Sequence, residues 1–164
     1  MKFTSILALL PLAAAWNCLT DADAESIVSR SIIFLEHHDI ALANATAQGL
    51  FAEDIQEFGD SINSLRGDAL GTQVENGRAK YVAETLATPP IPSITTLDII
   101  HDCKSLLWQW QFDGIGSGEY RVRGVTIIKV NDQNYVNYQY VEFNSLAWAL
   151  DLNFTVIPAP LPGS

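Results

Sequence analysis

Four strand-like segments in the second half of the chain constrain the fold more than any other feature. Apolar and polar residues alternate there, with many β-branched and aromatic side chains, and predict strands at 95–103, 106–112, 122–130 and 135–146. Glycines within 114–118 and the polar segment 131–134 are typical of turns between antiparallel neighbours. The second half therefore predicts a long antiparallel sheet.

The first half has mainly helical patterns. These patterns predict helices from Thr20 to about His37, at 42–50 and at 78–86, and an extended segment at 55–62. Thr20 followed by Asp23 is a capping signal for the first helix. Helices before a sheet predict an α+β fold, in which a curved antiparallel sheet wraps around the N-terminal helices. A sheet of this shape leaves a conical cavity, which is a usual place for a ligand.

Residues 1–15 have the pattern of a secretory signal, with one positive charge, an apolar run over 6–12 and three alanines before the expected cleavage site at Trp16. This pattern predicts an extracellular protein. The alternative, a membrane anchor, is disfavoured because the run is about half of the roughly 20 residues that span a bilayer. The rest of the chain is predicted to be one domain over 16–154 with a flexible, proline-rich tail at 155–164.

The net charge of the chain limits the classes of partner that it is expected to bind. It has nine Lys and Arg against nineteen Asp and Glu, which gives a net charge of −10. An excess of acidic groups disfavours binding to nucleic acids and to anionic membranes. We therefore expect no nucleic-acid partner and, once the signal has been cleaved, no membrane association.

Two cysteines, Cys18 and Cys103, remain after the signal. In an oxidising compartment an even pair predicts a disulfide, and the alternative is two buried free thiols. Two cysteines without nearby histidines lack the spacing of a zinc site, so no metal is expected. The sequons at Asn44 and Asn153 predict glycosylation sites in the same compartment.

Several segments resemble a known superfamily over nearly the whole mature chain. They are CLTDADA at 18–24, DSINSL at 60–65, PPIP at 89–92, HDC at 101–103, WQW at 108–110 and YVEFNSLAW at 140–148. They resemble the nuclear transport factor 2-like (SnoaL-like) superfamily of cone-shaped α+β barrels, and more narrowly a group of small secreted fungal proteins with that fold. The superfamily includes ketosteroid isomerases, scytalone dehydratase, limonene epoxide hydrolase and polyketide cyclases. No complete catalytic set of those enzymes matches this sequence, so the resemblance alone does not assign a reaction.

Asp60 and His101 are the candidate catalytic residues. Asp60 shares a predicted strand face with Phe58 and Ile62, so its carboxylate is expected in the apolar cone, where a raised pKa suits a general base. His101 shares a face with Cys103 and could complete an acid-base dyad without a cofactor. The structural alternatives are a turn role for Asp60 and a histidine packed beside the disulfide.

The candidate ligand-lining residues are aromatic and polar. They are Phe58, Trp108, Trp110, Tyr138, Tyr140, Glu142 and Asn144. Trp108 and Trp110 would form a flat wall, or would simply pack against the first helix. On the last strand, either the face with Tyr138 and Tyr140 or the face with Val141 points inward, and strand periodicity does not decide between them.

Three functions follow from these patterns. The first, which we favour, is a secreted protein that binds a small hydrophobic molecule in the cone. The second is a cofactor-free isomerase, dehydratase or cyclase acting on a polyketide- or terpenoid-like metabolite. The third is a secreted homodimeric interaction protein or effector that works through the outer face of its sheet.

Overall fold

The computed structural model describes residues 18–157. The predicted signal at 1–15, its cleavage site and the tail beyond residue 157 lie outside the described residues. The helices are α1 (Asp21–Glu36), α2 (Ile40–Leu50), α3 (Asp60–Arg66), α4 (Arg78–Ala87) and α5 (Ser145–Asp151). The strands are β1 (Phe51–Phe58), β2 (Gln73–Asn76), β3 (Ser93–His101), β4 (Ser105–Asp113), β5 (Val122–Val130) and β6 (Val136–Phe143).

The strands form one curved, unclosed sheet in the order β2-β1-β6-β5-β4-β3. Neighbouring strands are antiparallel except β1 and β6, which run parallel. This confirms the predicted α+β fold with a curved sheet. The parallel pair brings β1, from the first half of the chain, between β2 and the last strand. None of the described helices is long and apolar enough to cross a membrane.

The first helix forms as its sequence predicts. The Thr20 hydroxyl accepts a hydrogen bond from the Asp23 backbone N–H (3.2 Å), and the Asp23 carboxylate accepts one from the Thr20 N–H (2.9 Å). This reciprocal pair satisfies two backbone donors that a helix start leaves free. The apolar side of α1 then buries Ile27, Val28 and Phe34 against the sheet core.

The segment around Asp60 differs from the prediction. The strand predicted at 55–62 ends at Phe58, and α3 begins at Asp60 after Gly59. The carboxylate of Glu142, on β6, accepts hydrogen bonds from the backbone N–H groups of Asp60 (2.8 Å) and Ser61 (3.2 Å). A distant side chain therefore caps this helix, and the local sequence pattern does not contain that information.

A disulfide joins Cys18 to Cys103 with an S–S distance of 2.06 Å. Beside it, the Leu19 backbone N–H donates to the Cys103 carbonyl (3.1 Å). The predicted pair is therefore formed in the structure. It attaches the start of α1 to the turn between β3 and β4, so that the helix is held against the sheet edge.

Candidate functional site

A cavity of about 600 Å³ lies between the inner face of the sheet and the helices. Strands β1, β4, β5 and β6 form one wall, and α1, α3, α4 and α5 line the other side. The segment 88–92 after α4 and the glycine-rich loop 114–116 complete the lining. Its volume lies within the range of pockets that hold drug-sized molecules.

Aromatic rings cover much of the cavity wall. The rings of Trp110 and Phe112 stack with centroids 3.9 Å apart, and Trp148 lies 5.1 Å from Phe143 and 5.8 Å from Phe112. The indole N–H of Trp110 donates to the Thr126 hydroxyl (2.9 Å). Because that polar atom is satisfied within the protein, the wall presents mainly carbon to a ligand.

Three buried polar side chains meet within this apolar lining. They are Glu57 on β1, Tyr81 on α4 and Gln139 on β6. The Gln139 side-chain nitrogen lies 2.7 Å from a Glu57 carboxylate oxygen and 2.6 Å from the Tyr81 hydroxyl oxygen. Glu57 and Gln139 are register partners in the parallel pair, so the fold itself places them side by side. We call this set the polar trio.

The environment of Glu57 changes its acidity. Burial raises the pKa of the Glu57 carboxyl to about 7, against the lowering effect of the hydrogen bond from Gln139. The negative charge of Glu75 adds to the rise, and Arg66 opposes it. Burial and the charge of Glu57 also raise the pKa of the Tyr81 phenol well above its usual value. A carboxyl group of this kind is partly protonated at neutral pH and can either accept or donate a proton.

Glu75, the register partner of Glu57 on β2, has a different environment. Its carboxylate oxygens lie 2.8 Å from the Arg66 guanidinium and 3.0 Å from the Lys80 ammonium. Burial acts to raise the pKa of Glu75, but these and other side-chain contacts outweigh it and lower the pKa. Glu75 therefore stays ionised and keeps a negative charge close to Glu57.

The sequence of the chain matches a model of a known protein family. A family model described as an NTF2-like domain matches residues 17–155. The chain belongs to the NTF2-like domain family. A search of curated proteins finds no significant match to it.

Solved structures share the NTF2-like fold at low sequence identity. A candidate isomerase from Bacillus subtilis is 15% identical, with a TM-score of 0.63 and coverage of 82% of this chain and 95% of that one. A candidate ketosteroid isomerase from Kribbella flavida DSM 17836 is 16% identical, with a TM-score of 0.55 and coverage of 87% and 86%. A candidate SnoaL-like polyketide cyclase from Jannaschia sp. CCS1 is 12% identical, with a TM-score of 0.55 and coverage of 82% and 96%. At these identities the likeness concerns the fold alone.

In this NTF2-like domain the two predicted catalytic residues lie apart and outside the cavity. Asp60 is the first residue of α3, and its carboxylate accepts a hydrogen bond from the Gly71 N–H (2.6 Å). His101 ends β3 and contacts the Asp21 carboxylate at 2.8 Å. Three strands, β6, β5 and β4, separate β1 from β3. The structure therefore does not form the predicted dyad, because the chain turns into a helix at Asp60 and His101 faces the start of α1.

The predicted ligand-lining residues divide between the two faces of the sheet. Trp108 and Trp110 lie in the cavity wall. The others do not line the cavity: Phe58, Tyr138, Tyr140, Glu142 and Asn144. On β6 the inward residues are Gln139, Val141 and Phe143 instead.

The outward residues have contacts of their own. Phe58 and Tyr138 stack on the outer face with ring centroids 5.5 Å apart, and the Lys129 ammonium lies 4.8 Å from the Tyr138 ring. Glu142 caps α3, and the Asn144 side chain caps α5 by accepting from the Ala147 N–H (3.1 Å). Contacts on the outer face and at helix starts thus account for these side chains.

Sequence reasoning missed the polar trio. One signal was available: Gln139 is a polar residue on the same strand face as Val141 and Phe143. Glu57 gives a weaker signal, because a strand that continues to residue 62 puts Glu57 on the same face as Gly59 and Ser61. The two sequon asparagines, Asn44 and Asn153, are both exposed in the structure.

Proposed function

We propose that this protein is secreted and binds a small, mainly apolar molecule in the cavity. The observation that carries the proposal is the cavity of about 600 Å³, whose aromatic wall surrounds the buried polar trio. Apolar surface provides affinity in such pockets, and a few placed polar groups fix the ligand's orientation. The disulfide and the signal pattern of residues 1–15 support an oxidising, extracellular compartment, in which the two exposed sequons could be glycosylated.

Binding can be tested by filling the cavity from one strand. Val141 lines the cavity, and its neighbour Tyr140 does not. We expect V141W to weaken binding of the fluorescent probe 1-anilinonaphthalene-8-sulfonate or of neutral N-phenylnaphthylamine at least tenfold. The matched variant Y140W adds the same indole outside the cavity and should change the dissociation constants less than twofold. Equal binding by V141W and the unaltered protein would overturn the proposal.

Secretion has a separate test. Expression of the full chain in a eukaryotic host should release a protein into the medium whose N-terminus is Trp16. Glycosidase treatment should lower its mass if Asn44 or Asn153 carries a glycan. Retention of the full-length chain inside the cells would contradict this part of the proposal and leave the cavity unaffected.

Glu57 favours a second candidate function, cofactor-free proton transfer of the kind that isomerases, dehydratases and cyclases use. Its carboxyl lines the cavity, and its pKa of about 7 suits both removal and return of a proton at neutral pH. In this proposal Glu57 takes a proton from carbon next to a carbonyl, and the same carboxylic acid returns it at another position.

The test of this function is deuterium exchange into an enolisable bicyclic ketone such as 2-tetralone. The exchange rate in D₂O should rise with pH through about 7. E57Q should abolish the enzymatic part of exchange while the ketone still binds, and D60N should leave the rate unchanged. Unchanged exchange with E57Q would exclude Glu57 as the base.

The outer face of the sheet supports the remaining candidate, a homodimeric interaction protein. Leu107, Val125 and Ile127 lie on this face beside Tyr138 and Tyr140, and Ile127 is 38% exposed. Pairing of two such faces would cover this apolar surface. Light scattering of the purified protein should then give twice the monomer mass, and I127E should return the mass to that of a monomer.

A further inference from the structure

The direction of the hydrogen bonds in the polar trio leaves one hydrogen unassigned. The Gln139 nitrogen donates to both Glu57 and Tyr81, which uses both hydrogens of its amide. The Tyr81 oxygen therefore acts as an acceptor. Among the hydrogen bonds of residues 18–157, none gives an acceptor to the hydrogen of the Tyr81 hydroxyl itself. Since Tyr81 lines the cavity, this hydrogen can be donated to a bound molecule.

Protonation of the Glu57 oxygen that faces Gln139 changes which hydrogen bonds the trio needs. A carboxylic acid that donates toward Gln139 needs an acceptor, and an amide nitrogen is not one. The amide oxygen can accept two hydrogen bonds, one from Glu57 and one from Tyr81. Oxygen and nitrogen of an amide are nearly equal in size, so a half-turn of the Gln139 amide provides this arrangement without additional space.

We propose that Gln139 is a positioning residue that couples the protonation state of Glu57 to the direction of the Tyr81 hydroxyl. With Glu57 ionised, the cavity offers a ligand the O–H donor of Tyr81. When Glu57 is protonated and the amide has turned, the Tyr81 hydroxyl donates its hydrogen bond to the Gln139 amide oxygen. Only the lone pairs of the tyrosine oxygen then face the cavity. The ionised form therefore selects apolar molecules with a carbonyl group. This assignment of ligand class rests on the proposed binding function.

The groups around the trio place this change near neutral pH. Burial raises the pKa of Glu57 most, the negative charge of Glu75 on β2 adds to the rise, and Arg66 on α3 opposes it. Glu84 on α4 also lines the cavity. Lys80 pairs with Glu75 and Glu84 outside the cavity lining. The lining residues of α1, β4 and β5 are uncharged. The pKa of Glu57, about 7, agrees with a change between pH 5.5 and 8.5.

The first test needs no ligand. In the intact protein, nuclear Overhauser contacts between the Gln139 side-chain NH₂ and the Tyr81 ring should be strong at pH 8.5 and weak at pH 5.5. In E57Q, which cannot ionise, they should no longer change with pH. Contacts that stay equally strong at both pH values in the unaltered protein would overturn the coupling, because the amide would not have turned.

The second test measures ligand preference with two naphthalenes of similar shape. 2-Acetylnaphthalene carries a carbonyl, 2-isopropylnaphthalene does not, and both can be followed by quenching of tryptophan fluorescence. The ratio of their affinities should favour the ketone at least fivefold more at pH 8.5 than at pH 5.5. Y81F should remove the preference at both pH values, Q139M should remove its pH dependence, and Y140F, which lacks an outward hydroxyl, should behave like the unaltered protein.

The two tests separate the coupling from the binding function. If neither naphthalene binds but the amide contacts change with pH, the binding function is wrong and the coupling stands. If both bind with a preference that does not depend on pH, the coupling is wrong and the binding function stands. A pH-dependent preference that survives in Q139M would assign the effect to Glu57 alone and overturn the role of Gln139.

Discussion

Two buried carboxyl groups in this molecule have opposite acidities. Asp151, at the end of α5, accepts hydrogen bonds from the Ser117 hydroxyl (2.6 Å) and from the backbone N–H groups of Glu119 (2.9 Å) and Tyr120 (3.1 Å). Burial acts to raise its pKa, but these donors outweigh burial and lower the pKa. Glu57 receives one amide hydrogen bond, and its pKa rises to about 7.

The comparison shows that burial alone does not produce a reactive acid. A carboxylate with three donors is a structural anchor, here for the loop that follows β4 beside the cavity. When a buried carboxylate has only one neutral donor, its charged form stays unfavourable. Binding a proton removes that unfavourable charge. The number of donors therefore separates a candidate functional group from a structural one better than depth does.

The largest expected effect is a gain in stability on replacing Glu57. Because its folded-state pKa lies above the ordinary value of 4.5, the unfolded chain releases this proton first, and stability falls as pH rises from about 4.5 to 7. The rise corresponds to about 3 kcal/mol. E57Q should therefore unfold with a free energy about 3 kcal/mol higher at pH 8 and nearly unchanged at pH 4, as measured by urea titration.

The control for this variant is E53Q on the same strand. The Glu53 side chain is 90% exposed, so E53Q should change stability by less than about 0.5 kcal/mol at either pH. A destabilised E57Q at pH 8 would mean that the Glu57 charge is compensated in the fold, and the contrast with Asp151 would no longer hold.

Replacing Asp151 should have the opposite sign. D151A leaves three donors without their acceptor and should cost about 2 kcal/mol at pH 7 by urea titration. Because the folded-state pKa is lowered, the stabilisation is present above the unfolded pKa and is lost as pH falls through the folded one. The cost of D151A should thus shrink at low pH. D151N keeps an acceptor oxygen and should cost less than D151A, and a cost that grows on acidification would contradict the assigned role.

Removing one donor should have an intermediate effect. S117A deletes the 2.6 Å hydrogen bond to Asp151 and should cost about 1 kcal/mol in thermal or urea unfolding, since two backbone donors remain. It should also raise the pKa of Asp151, which the pH dependence of stability would report. Ser64 is exposed on α3, and S64A serves as the control with little expected change. Equal changes in the free energy of unfolding for S117A and S64A would show that the Ser117 hydrogen bond does not stabilise the Asp151 site.

The smallest effects are expected at the residues that the sequence singled out first. D60N and H101Q should change the affinity for N-phenylnaphthylamine less than twofold, because neither side chain lines the cavity. A tenfold loss of affinity in H101Q at an unchanged melting temperature would contradict the placement of His101 outside the cavity.

Local signals in the sequence were sufficient for much of the fold. The Thr20–Asp23 pair predicts the start of α1, and the polar segment 131–134 predicts the turn before the last strand. These features depend on residues close in the chain, where propensity and periodicity act directly. The pair Cys18 and Cys103 was predicted from the number of cysteines rather than from local structure, and it is present in the structure.

The site was predicted poorly because its contacts are distant in sequence. Asp60 fits the pattern of an inward strand residue, but in the structure it begins α3, and its backbone N–H donates to the Glu142 carboxylate 82 residues later. Strand periodicity gave two possible inward faces for the last strand, and three-dimensional packing selects the one with Gln139. The raised pKa of Glu57 comes first from burial in the folded domain and is then modified by Gln139 on β6, Glu75 on β2 and Arg66 on α3. These residues are too far apart in the chain for a local sequence pattern to reveal them.

The parallel pairing of β1 with β6 also determines when the site can form. Glu57 and Gln139 are 82 residues apart, and the strand that carries Gln139 is the last of the sheet. Contacts of such long sequence separation form late, because the intervening chain must be ordered first. During synthesis, a chain that has not yet released β6 from the ribosome can have α1, α2, α4 and the β3-β4 hairpin, but not the polar trio or the complete cavity. The cavity is therefore complete only when the first and last strands of the sheet have paired.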